Sequence, residues 1–264
     1  MKISNTNIIL FSPTGGTKAC ALQLMEGICP GGAANLIDIT EPDCRTAASI
    51  PDRFSRDALV LFALPVYGGR IPGIAAEQLR RFRGDKTPAI LLTVYGNRAC
   101  EDALLELSDL VRQSGFLPAA GVEAVAQHSL LPRFGQGRPD EADCNELLQF
   151  GEQLAVRLMH IKSAEFLRIP RFPGERPFRA YNGVSLHPKA NRRCTACGLC
   201  AKACPAGAIP LGAPNKTDAG ICISCMHCAA ICPQKARRLD PLLKLIASHK
   251  MKKACAGRKE NVLF

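Results

Sequence analysis

Residues 7–28, NIILFSPTGGTKACALQLMEGI, place an apolar run, a turn of small and polar residues and a helical pattern directly after one another. The apolar run Asn7–Phe11 is short and rich in Ile and Leu, which is typical of a buried strand. From Lys18 to Ile28 the apolar residues recur three and four positions apart, which predicts a helix with one apolar face. The stretch therefore predicts one strand–turn–helix unit of an α/β domain.

The same unit recurs through the first 164 residues. Near-continuous apolar runs alternate with helical patterns, which indicates a parallel sheet covered by helices on both faces. Five strands in a domain of this size predict an α/β, doubly wound five-stranded parallel sheet in the flavodoxin-like order, with ligands at the carboxyl ends of the strands. The further strands are predicted at Ala34–Ile39, Ala58–Ala63, Ala89–Tyr95 and Gly121–Ala126, and the further helices at Ile74–Phe82, Glu101–Ser114 and Glu141–Ala164.

Residues 165–187, EFLRIPRFPGERPFRAYNGVSLH, interrupt this alternation. Its three prolines exclude a helix, because each removes a backbone donor and fixes its own φ. Its four aromatic side chains argue against a freely flexible linker. We interpret the stretch as a Pro-, Arg- and aromatic-rich strap packed over the surface, between a domain at residues 1–164 and a domain at residues 188–240.

Charge is distributed unevenly along the 264-residue chain. Residues 188–264 contain 14 Lys or Arg against 3 Asp or Glu, whereas the first 187 residues contain 20 of each, so the net charge of +11 lies in the last part. With no Trp, three Tyr and no recognisable binding motif, nucleic acid is not the expected partner. The excess predicts a solvated, poorly ordered basic tail at residues 241–264, or else docking on an acidic partner protein.

The chain contains 14 cysteines but shows no secretory signal and no apolar run near the ~18 residues of a membrane span. We therefore expect a cytoplasmic protein with metal or redox chemistry. Residues 194–232 carry one cysteine motif twice, CTACGLCAKACP from Cys194 and CISCMHCAAICP from Cys222, and the copies coincide when shifted by 28 positions. A repeated unit of this kind implies two similar sites.

Each copy is C-x2-C-x2-C-x3-C-P, in which three cysteines wrap a loop around a cuboidal cluster and the fourth reaches the other cluster. Structural zinc is the alternative, but zinc usually takes two C-x2-C pairs with a long spacer. His227 lies inside the second motif, where every ligand position is filled, so we expect a solvent-facing residue. The first [4Fe–4S] cluster is predicted to take Cys194, Cys197, Cys200 and Cys232, and the second Cys204, Cys222, Cys225 and Cys228.

Three loops that follow predicted strands are candidate cofactor-binding loops. In the first, glycine N–H groups and a helix N-terminus form a cradle for phosphate. The loops converge on one ligand, because the carboxyl ends of parallel strands lie at one edge of the sheet. The candidate residues are Ser12, Thr14, Gly15, Gly16 and Thr17 in the first loop, Pro65, Val66, Tyr67, Gly68 and Gly69 in the second, and Tyr95, Gly96, Asn97 and Arg98 in the third.

The cysteine segment closely resembles bacterial two-cluster ferredoxins, and the first loop resembles the phosphate loop of flavodoxins. With PVYGGRIP at residues 65–72, YGNR at 95–98 and HS at 128–129, the chain as a whole resembles flavodoxin–ferredoxin fusion proteins. The resemblance implies two [4Fe–4S] clusters in a small α+β domain, and FMN with its phosphate on Ser12–Thr17. It also implies that the isoalloxazine ring lies between the other two loops.

Two kinds of side chain near these loops could act on a bound flavin. His128 follows the fifth strand and could touch the ring edge or deliver a proton to a substrate; a loop histidine that bonds backbone is the alternative. Acidic residues usually line the flavin of flavodoxins, whereas these loops carry Arg70 and Arg98, whose charges we expect to favour the reduced flavin if they reach it.

Clusters pass single electrons and FMN can hold one or two, so the chain is predicted to be an electron-transfer iron–sulfur flavoprotein. An FMN-dependent reductase of a small-molecule acceptor, with the ferredoxin part as an internal wire, is the second hypothesis. A non-catalytic iron–sulfur redox sensor is the third. The expected partner is a redox protein, either a ferredoxin-type donor or an acceptor reductase.

Overall fold

The structure is a computed structural model that describes residues 3–42 and 51–264. Long strands and helices alternate as far as residue 160, and most later elements are short. The strands are β1 (Asn5–Leu10), β2 (Asn35–Asp38), β3 (Arg53–Phe54), β4 (Ala58–Pro65), β5 (Arg83–Gly84), β6 (Thr87–Tyr95), β7 (Phe116–Val125), β8 (Lys189–Ala190), β9 (Arg237–Arg238) and β10 (Val262–Leu263). The helices are α1 (Gly16–Ile28), α2 (Gly73–Leu79), α3 (Ala103–Gln113), α4 (Glu141–His160), α5 (Leu199–Lys202), α6 (His227–Ala230) and α7 (Pro241–Met251).

The main sheet has the strand order β10-β7-β6-β4-β1-β2. Strands β2, β1, β4, β6 and β7 run parallel. Numbered along the chain, these five follow the order 2-1-3-4-5, so the domain has the predicted flavodoxin-like α/β fold. The order reverses beside β1, which places the carboxyl ends of β1 and β4 at the switch point where ligands bind in such folds.

Helices cover both faces of this sheet. Helices α1 and α4 bury their apolar sides on one face, and α2 and α3 bury theirs on the other. Helices α1 and α4 touch through glycines, because a Cβ at Gly27 would lie 2.0 Å from the Leu148 carbonyl oxygen. The central strands β4 and β6 are almost wholly buried between these layers, and each buried Val, Leu or Ile contributes roughly 1.5–3 kcal/mol. The core thereby fixes the sheet edge that carries the candidate loops.

The C-terminal segment is ordered, which corrects the prediction of a poorly ordered basic tail. Val262 and Leu263 pair antiparallel with β7, so the sheet has six strands where five were predicted. Part of the basic charge has acidic partners on the first domain, since Arg258 forms an ion pair with Asp140 at 2.6 Å. A strand of two residues has no detectable period, and its pairing partner is distant in the sequence. The prediction therefore missed it.

Residues between α7 and β10 cross the carboxyl edge of the sheet. The Asn97 side chain donates hydrogen bonds to the carbonyls of Cys255 at 2.9 Å and Gly257 at 2.8 Å. The buried Arg138 guanidinium donates to the Lys259 carbonyl at 2.6 Å and is also paired with Asp143. The C-terminal segment is thus tied to the loop that begins at the end of β6.

The Pro- and Arg-rich strap packs against α3 and the sheet. Phe172 is buried in the core on the α3 side. The backbone N–H groups of Glu175 and Arg179 donate to the Asp102 carboxylate at 3.0 and 2.7 Å. Arg176 forms an ion pair with Asp109 at 2.6 Å. Apart from the short 3-10 helix Ala164–Phe166 at its start, the strap contains no helix or strand, and these contacts hold it in place.

The cysteine-rich segment is built on the β8–β9 pair and the one-turn helices α5 and α6. Its own apolar core is small and includes Cys200, Ala201, Ile209 and Cys228. So little apolar burial is typical of small domains that a bound metal stabilises. Within residues 3–42 and 51–264, no helix has both the length and the apolar character needed to cross a membrane.

Candidate functional site

The Ser12–Thr17 turn connects β1 to α1. Gly15 has a φ of +89°, a left-handed conformation that favours glycine. The Ser12 hydroxyl accepts a hydrogen bond from the Lys18 N–H at 2.9 Å, and no acidic side chain lies in the first turn of α1. A helix start with free N–H groups and no nearby carboxylate attracts an anion. The turn therefore fits a phosphate group.

The second loop contains a tight turn at residues 67–70. The Tyr67 N–H donates to the Arg70 carbonyl at 2.8 Å, and the Arg70 N–H donates back at 3.2 Å. Gly68 and Gly69 have φ values of +61° and +86°, which a type I′ turn requires at both central positions. A Cβ at Gly68 would lie 2.1 Å from the Tyr181 ring, so glycine also admits the strap at this point.

The third loop divides its side chains between the sheet edge and the C-terminal segment. The Tyr95 hydroxyl donates to the Glu260 carbonyl at 3.2 Å, and Asn97 is bonded as described above. Gly96 lies against His128, because a Cβ there would be 2.8 Å from the His128 Cα. The polar ends of Tyr95 and Asn97 are therefore engaged by the chain itself, which the sequence prediction did not anticipate.

Three cavities share lining residues and form one groove along this edge. We call them the outer cavity, about 590 Å³ at Thr14 and Gly15, the middle cavity, about 50 Å³ at Pro65 and Tyr95, and the inner cavity, about 350 Å³ at Tyr67 and Tyr181. Of the predicted residues, those on the groove are Thr14, Gly15, Gly16, Thr17, Pro65, Tyr67, Gly68, Tyr95, Gly96 and Arg98, and those outside its linings are Ser12, Val66, Gly69 and Asn97.

His128 lies between the middle and inner cavities. Its Nδ1 accepts a hydrogen bond from the Leu130 N–H at 3.3 Å. Burial, and to a lesser extent the Arg98 charge, lower the pKa of His128 to about 4. The ring is therefore neutral near pH 7, and Nδ1 is already an acceptor, so only Nε2 can carry its proton.

The two loop arginines are largely neutralised by carboxylates. Arg70 donates two hydrogen bonds to Glu106, at 2.6 and 2.7 Å, and stacks on Phe178. It does not line the groove, so the expectation that its charge reaches a flavin finds no support in its position. Arg98 does line the inner cavity, but it pairs with Glu101.

The eight motif cysteines lie around two small cavities. One is lined by Cys194, Cys197, Cys200 and Cys232, and the other by Cys204, Cys222, Cys225 and Cys228. Each set combines three cysteines of one motif with the fourth cysteine of the other motif, as the spacing rule predicts. Residues 3–42 and 51–264 contain no three His, Cys, Asp or Glu side chains close enough to share a single metal ion. We call the two sets the first and the second cysteine set.

The second cysteine set faces the flavodoxin-like domain. Met226, Ala229 and Ala230 form one wall of the outer cavity, opposite the Ser12–Thr17 turn. Tyr67 lies beside this set as well, because it lines the inner cavity together with Ile223 and Ser224 of the second motif. The groove therefore runs between the sheet edge and the second cysteine loop.

His227 is buried, which corrects the prediction of a solvent-facing residue. It is only 6% exposed, and its Nδ1 donates to the Pro13 carbonyl at 2.6 Å. Its Nε2 lies 3.4 Å from a Glu41 carboxylate oxygen. The prediction considered His227 only as a possible ligand of its own motif. The equivalent residue of the first motif is Leu199. This difference in residue type was the signal in the sequence that the two motifs have different surroundings.

The first cysteine set lies toward solvent. Cys197 is exposed, and Leu199 is 49% exposed. The side chains of Arg193, Lys202 and Lys235, each within three residues of a cysteine in this set, are exposed cations. We call these three residues the basic rim. The two sets thus differ in their surroundings although their motifs are alike.

A 4Fe-4S dicluster domain model matches residues 193–237. No curated protein matches the chain. The match covers both cysteine motifs and assigns them to the iron–sulfur class rather than to zinc. The chain therefore joins a flavodoxin-like α/β domain to a 4Fe-4S dicluster domain.

Three similar solved structures each cover about three-fifths of the chain. An archaeal flavodoxin is 15% identical, with 59% of this chain and 99% of that chain covered and a TM-score of 0.40. A flavodoxin from Streptococcus pneumonia TIGR4 is 17% identical, covering 58% and 99%, with a TM-score of 0.41. Rubredoxin oxygen:oxidoreductase from Desulfovibrio gigas is 16% identical, covering 60% and 37%, with a TM-score of 0.40. At these values the similarities add nothing to the fold that the strand order defines.

Proposed function

We propose that the chain carries electrons between an acidic redox protein and FMN by way of two [4Fe–4S] clusters. One observation supports this above the others: a single groove is bounded by the phosphate-type turn at Ser12–Thr17 on one side and by the second cysteine loop on the other. A flavin in this groove and a cluster on that loop would be neighbours. FMN, when bound, supplies a centre that exchanges one or two electrons, whereas each cluster exchanges one.

The residues along the groove suit the three parts of FMN. The start of α1 offers N–H groups and positive potential to the phosphate. The middle cavity has little free volume and fits a narrow chain such as ribityl. The inner cavity is lined mainly by apolar and aromatic side chains, including Tyr67, Tyr181 and Leu131, which suits the flat isoalloxazine ring. We assign the groove to FMN in that orientation.

The surroundings of the two cysteine sets support an order of transfer. The loop of the second set lines cavities with Tyr67 and with the phosphate turn, and the first set lies toward solvent at Cys197. In the proposed order an external carrier meets the first cluster, and the second cluster stands between it and the flavin. The chain's contribution is to hold these centres in line and to keep water from the inner ones.

The basic rim supports an acidic carrier as the partner. Its three cations surround the exposed first set, and residues 188–240 contain only Asp218 and Asp240 as acids. Opposite charges speed the encounter of two proteins by roughly 10- to 1,000-fold at low salt. Donation of one electron oxidises the carrier by one unit and reduces the first cluster by one.

The function is tested on anaerobically purified protein. We expect about eight iron, eight sulfide and one FMN per chain, because two cubane clusters are predicted. Reduction is then followed with an acidic plant-type [2Fe–2S] ferredoxin as donor, and with the methyl viologen radical cation as a donor of opposite charge. Zinc without sulfide, or clusters that reduce while bound FMN stays oxidised, contradicts the proposal.

The partner surface has a matched control in the same chain. The triple variant Arg193→Gln, Lys202→Gln, Lys235→Gln should slow reduction by the acidic ferredoxin about tenfold at low salt, because it removes the steering charges. The variant Lys244→Gln, Lys252→Gln, Lys253→Gln removes the same charge elsewhere and should have little effect. Equal slowing by both variants would show that the net charge of the whole protein matters and that the basic rim has no specific role in docking.

An FMN-dependent reductase is the second candidate, and the polar groups beside the inner cavity favour it. His128 and Ser129 are the polar groups at the junction with the middle cavity. Turnover of small quinones by the reduced protein, at rates above those of free FMN, would favour this candidate over the carrier.

A further inference from the structure

The two halves of the cysteine repeat differ in residue type at the position five residues after their fourth cysteine. Ile209 follows the first motif and Arg237 follows the second, 28 positions apart in a repeat of that spacing. Both side chains are 4% exposed. Burying a charge is costly unless it is compensated, so an arginine at a position that accepts isoleucine calls for a physical reason.

Hydrogen bonds hold the Arg237 guanidinium in place without neutralising it. One terminal nitrogen donates to the Thr217 hydroxyl and the Pro188 carbonyl, and the other donates to the carbonyls of Pro214 and Lys216. All four acceptors are uncharged. The positive charge is therefore fixed in position and left to interact with other negative groups nearby.

The negative groups that Arg237 can meet are the cysteines of both sets. It lines the cavity of the first set, next to Cys232. It also donates hydrogen bonds to the Pro188 carbonyl and the Thr217 hydroxyl, and both of these residues line the cavity of the second set. The Nε of Arg237 is buried and has no hydrogen-bond partner among the described residues. One guanidinium thus lies between the two sets with one donor unused.

We infer that Arg237 raises the reduction potentials of both clusters by holding one unneutralised positive charge between them. Reduction adds a negative charge to a cluster, and a nearby fixed cation favours the reduced form. The charge is buried, so salt screens it little. The free Nε–H is also available to a cluster sulfur, and such hydrogen bonds raise the potential further. This inference rests on the [4Fe–4S] clusters of the proposed function, but not on FMN.

The test is a redox titration of both clusters in Arg237→Gln and Arg237→Met, alongside iron and sulfide analysis. At a fixed potential the ratio of reduced to oxidised cluster should fall about tenfold at both sites, which corresponds to about 59 mV for one electron. Arg237→Lys keeps the charge and should restore most of the ratio. Arg238→Gln removes the neighbouring exposed cation, and we expect a much smaller change that disappears in about 1 M salt.

Several outcomes would overturn the inference. If the Arg237→Gln and Arg237→Met proteins have full iron and unchanged potentials, the role of Arg237 is only to hold residues 214–217 in place by hydrogen bonds. The role of Arg237 is likewise only structural if Arg237→Lys shifts the potentials as far as Arg237→Gln does. Should both neutral variants lose iron, Arg237→Lys decides: full iron with near-unchanged potentials supports the charge, and iron loss there too contradicts it. Failure of the proposed function is distinguishable, because the unmodified protein would then lack iron and sulfide.

Discussion

The two cysteine motifs have similar backbone conformations but different surroundings. Ala196 and Ser224, at equivalent positions, both have left-handed φ values, of 53° and 56°. The Ala208 N–H lies 3.3 Å from the Cys204 sulfur, and the Ala236 N–H lies 3.3 Å from the Cys232 sulfur. Spacing between the cysteines therefore dictates the local conformation in both halves, whatever lies around them.

The positions between the ligands are where the halves diverge. The first motif has Gly198, Leu199 and Lys202, and the second has Met226, His227 and Ala230 at the matching positions. The second group faces the phosphate turn, and the first faces solvent. The repeated cysteines thus leave the positions between them free to differ: those of the second motif face the groove, and those of the first motif face solvent.

The largest expected difference between the halves is in FMN retention. Cys225→Ala should remove the second cluster, release the loop that carries Met226 and His227, and lower FMN content by more than about tenfold. Cys197→Ala should cost about the same iron, close to half of the total, and leave FMN in place. The measurement is iron and FMN per chain after anaerobic gel filtration.

Equal FMN loss in Cys225→Ala and Cys197→Ala would contradict the comparison, since it would mean that the dicluster domain acts as one unit. Equal retention would contradict it too. In that case the second loop would not form a wall of the FMN site.

A smaller difference is expected for the buried histidine. His227→Ala leaves the Pro13 carbonyl without its donor, and an unpaired buried acceptor costs about 1–3 kcal/mol. FMN binding to flavin-stripped protein should weaken about tenfold or more, with iron content unchanged. Leu199→Ala, the equivalent change in the first motif, should leave FMN affinity as it was. Titration of FMN fluorescence measures both, and identical affinities in the two variants would contradict a role for His227 at the turn.

Much of the fold could be predicted because it depends on local patterns. Most of the five parallel strands are apolar runs next to helical patterns, and the sequence locates each of them to within a few residues, except that β7 begins at Phe116 where Gly121 was predicted. The strand β10 could not be predicted. Its two residues carry no period, and its position depends on Asn97, Arg138 and Asp140, which lie far earlier in the chain.

The same distinction between local patterns and long-range contacts applies to the candidate site. Spacing alone locates the eight cysteines in two crossed sets, because the motif is local. The loop composition does not reveal that Asn97 bonds the C-terminal segment, that Glu106 neutralises Arg70 or that His227 reaches Pro13. Each of these is a contact between residues distant in sequence, and one sequence on its own carries no record of such pairs.

The smallest expected difference concerns backbone strain at the position before each short helix. Gly198 has a φ of +81°, whereas Met226 occupies the matching position at +65° and lines the outer cavity. A side chain in this conformation costs about 1–2 kcal/mol, so Gly198→Met should lower the temperature of cluster loss by about 2–8 °C. Met226→Gly should raise that temperature slightly, because the relief of strain is partly offset by the added freedom of the unfolded chain. It should also weaken FMN binding severalfold, since the cavity wall is removed. Both temperatures are read from the visible absorbance at one scan rate under argon. A Met226→Gly protein with lower stability and unchanged FMN affinity would mean that Met226 is kept for packing, and the strain would then have no connection with the flavin groove.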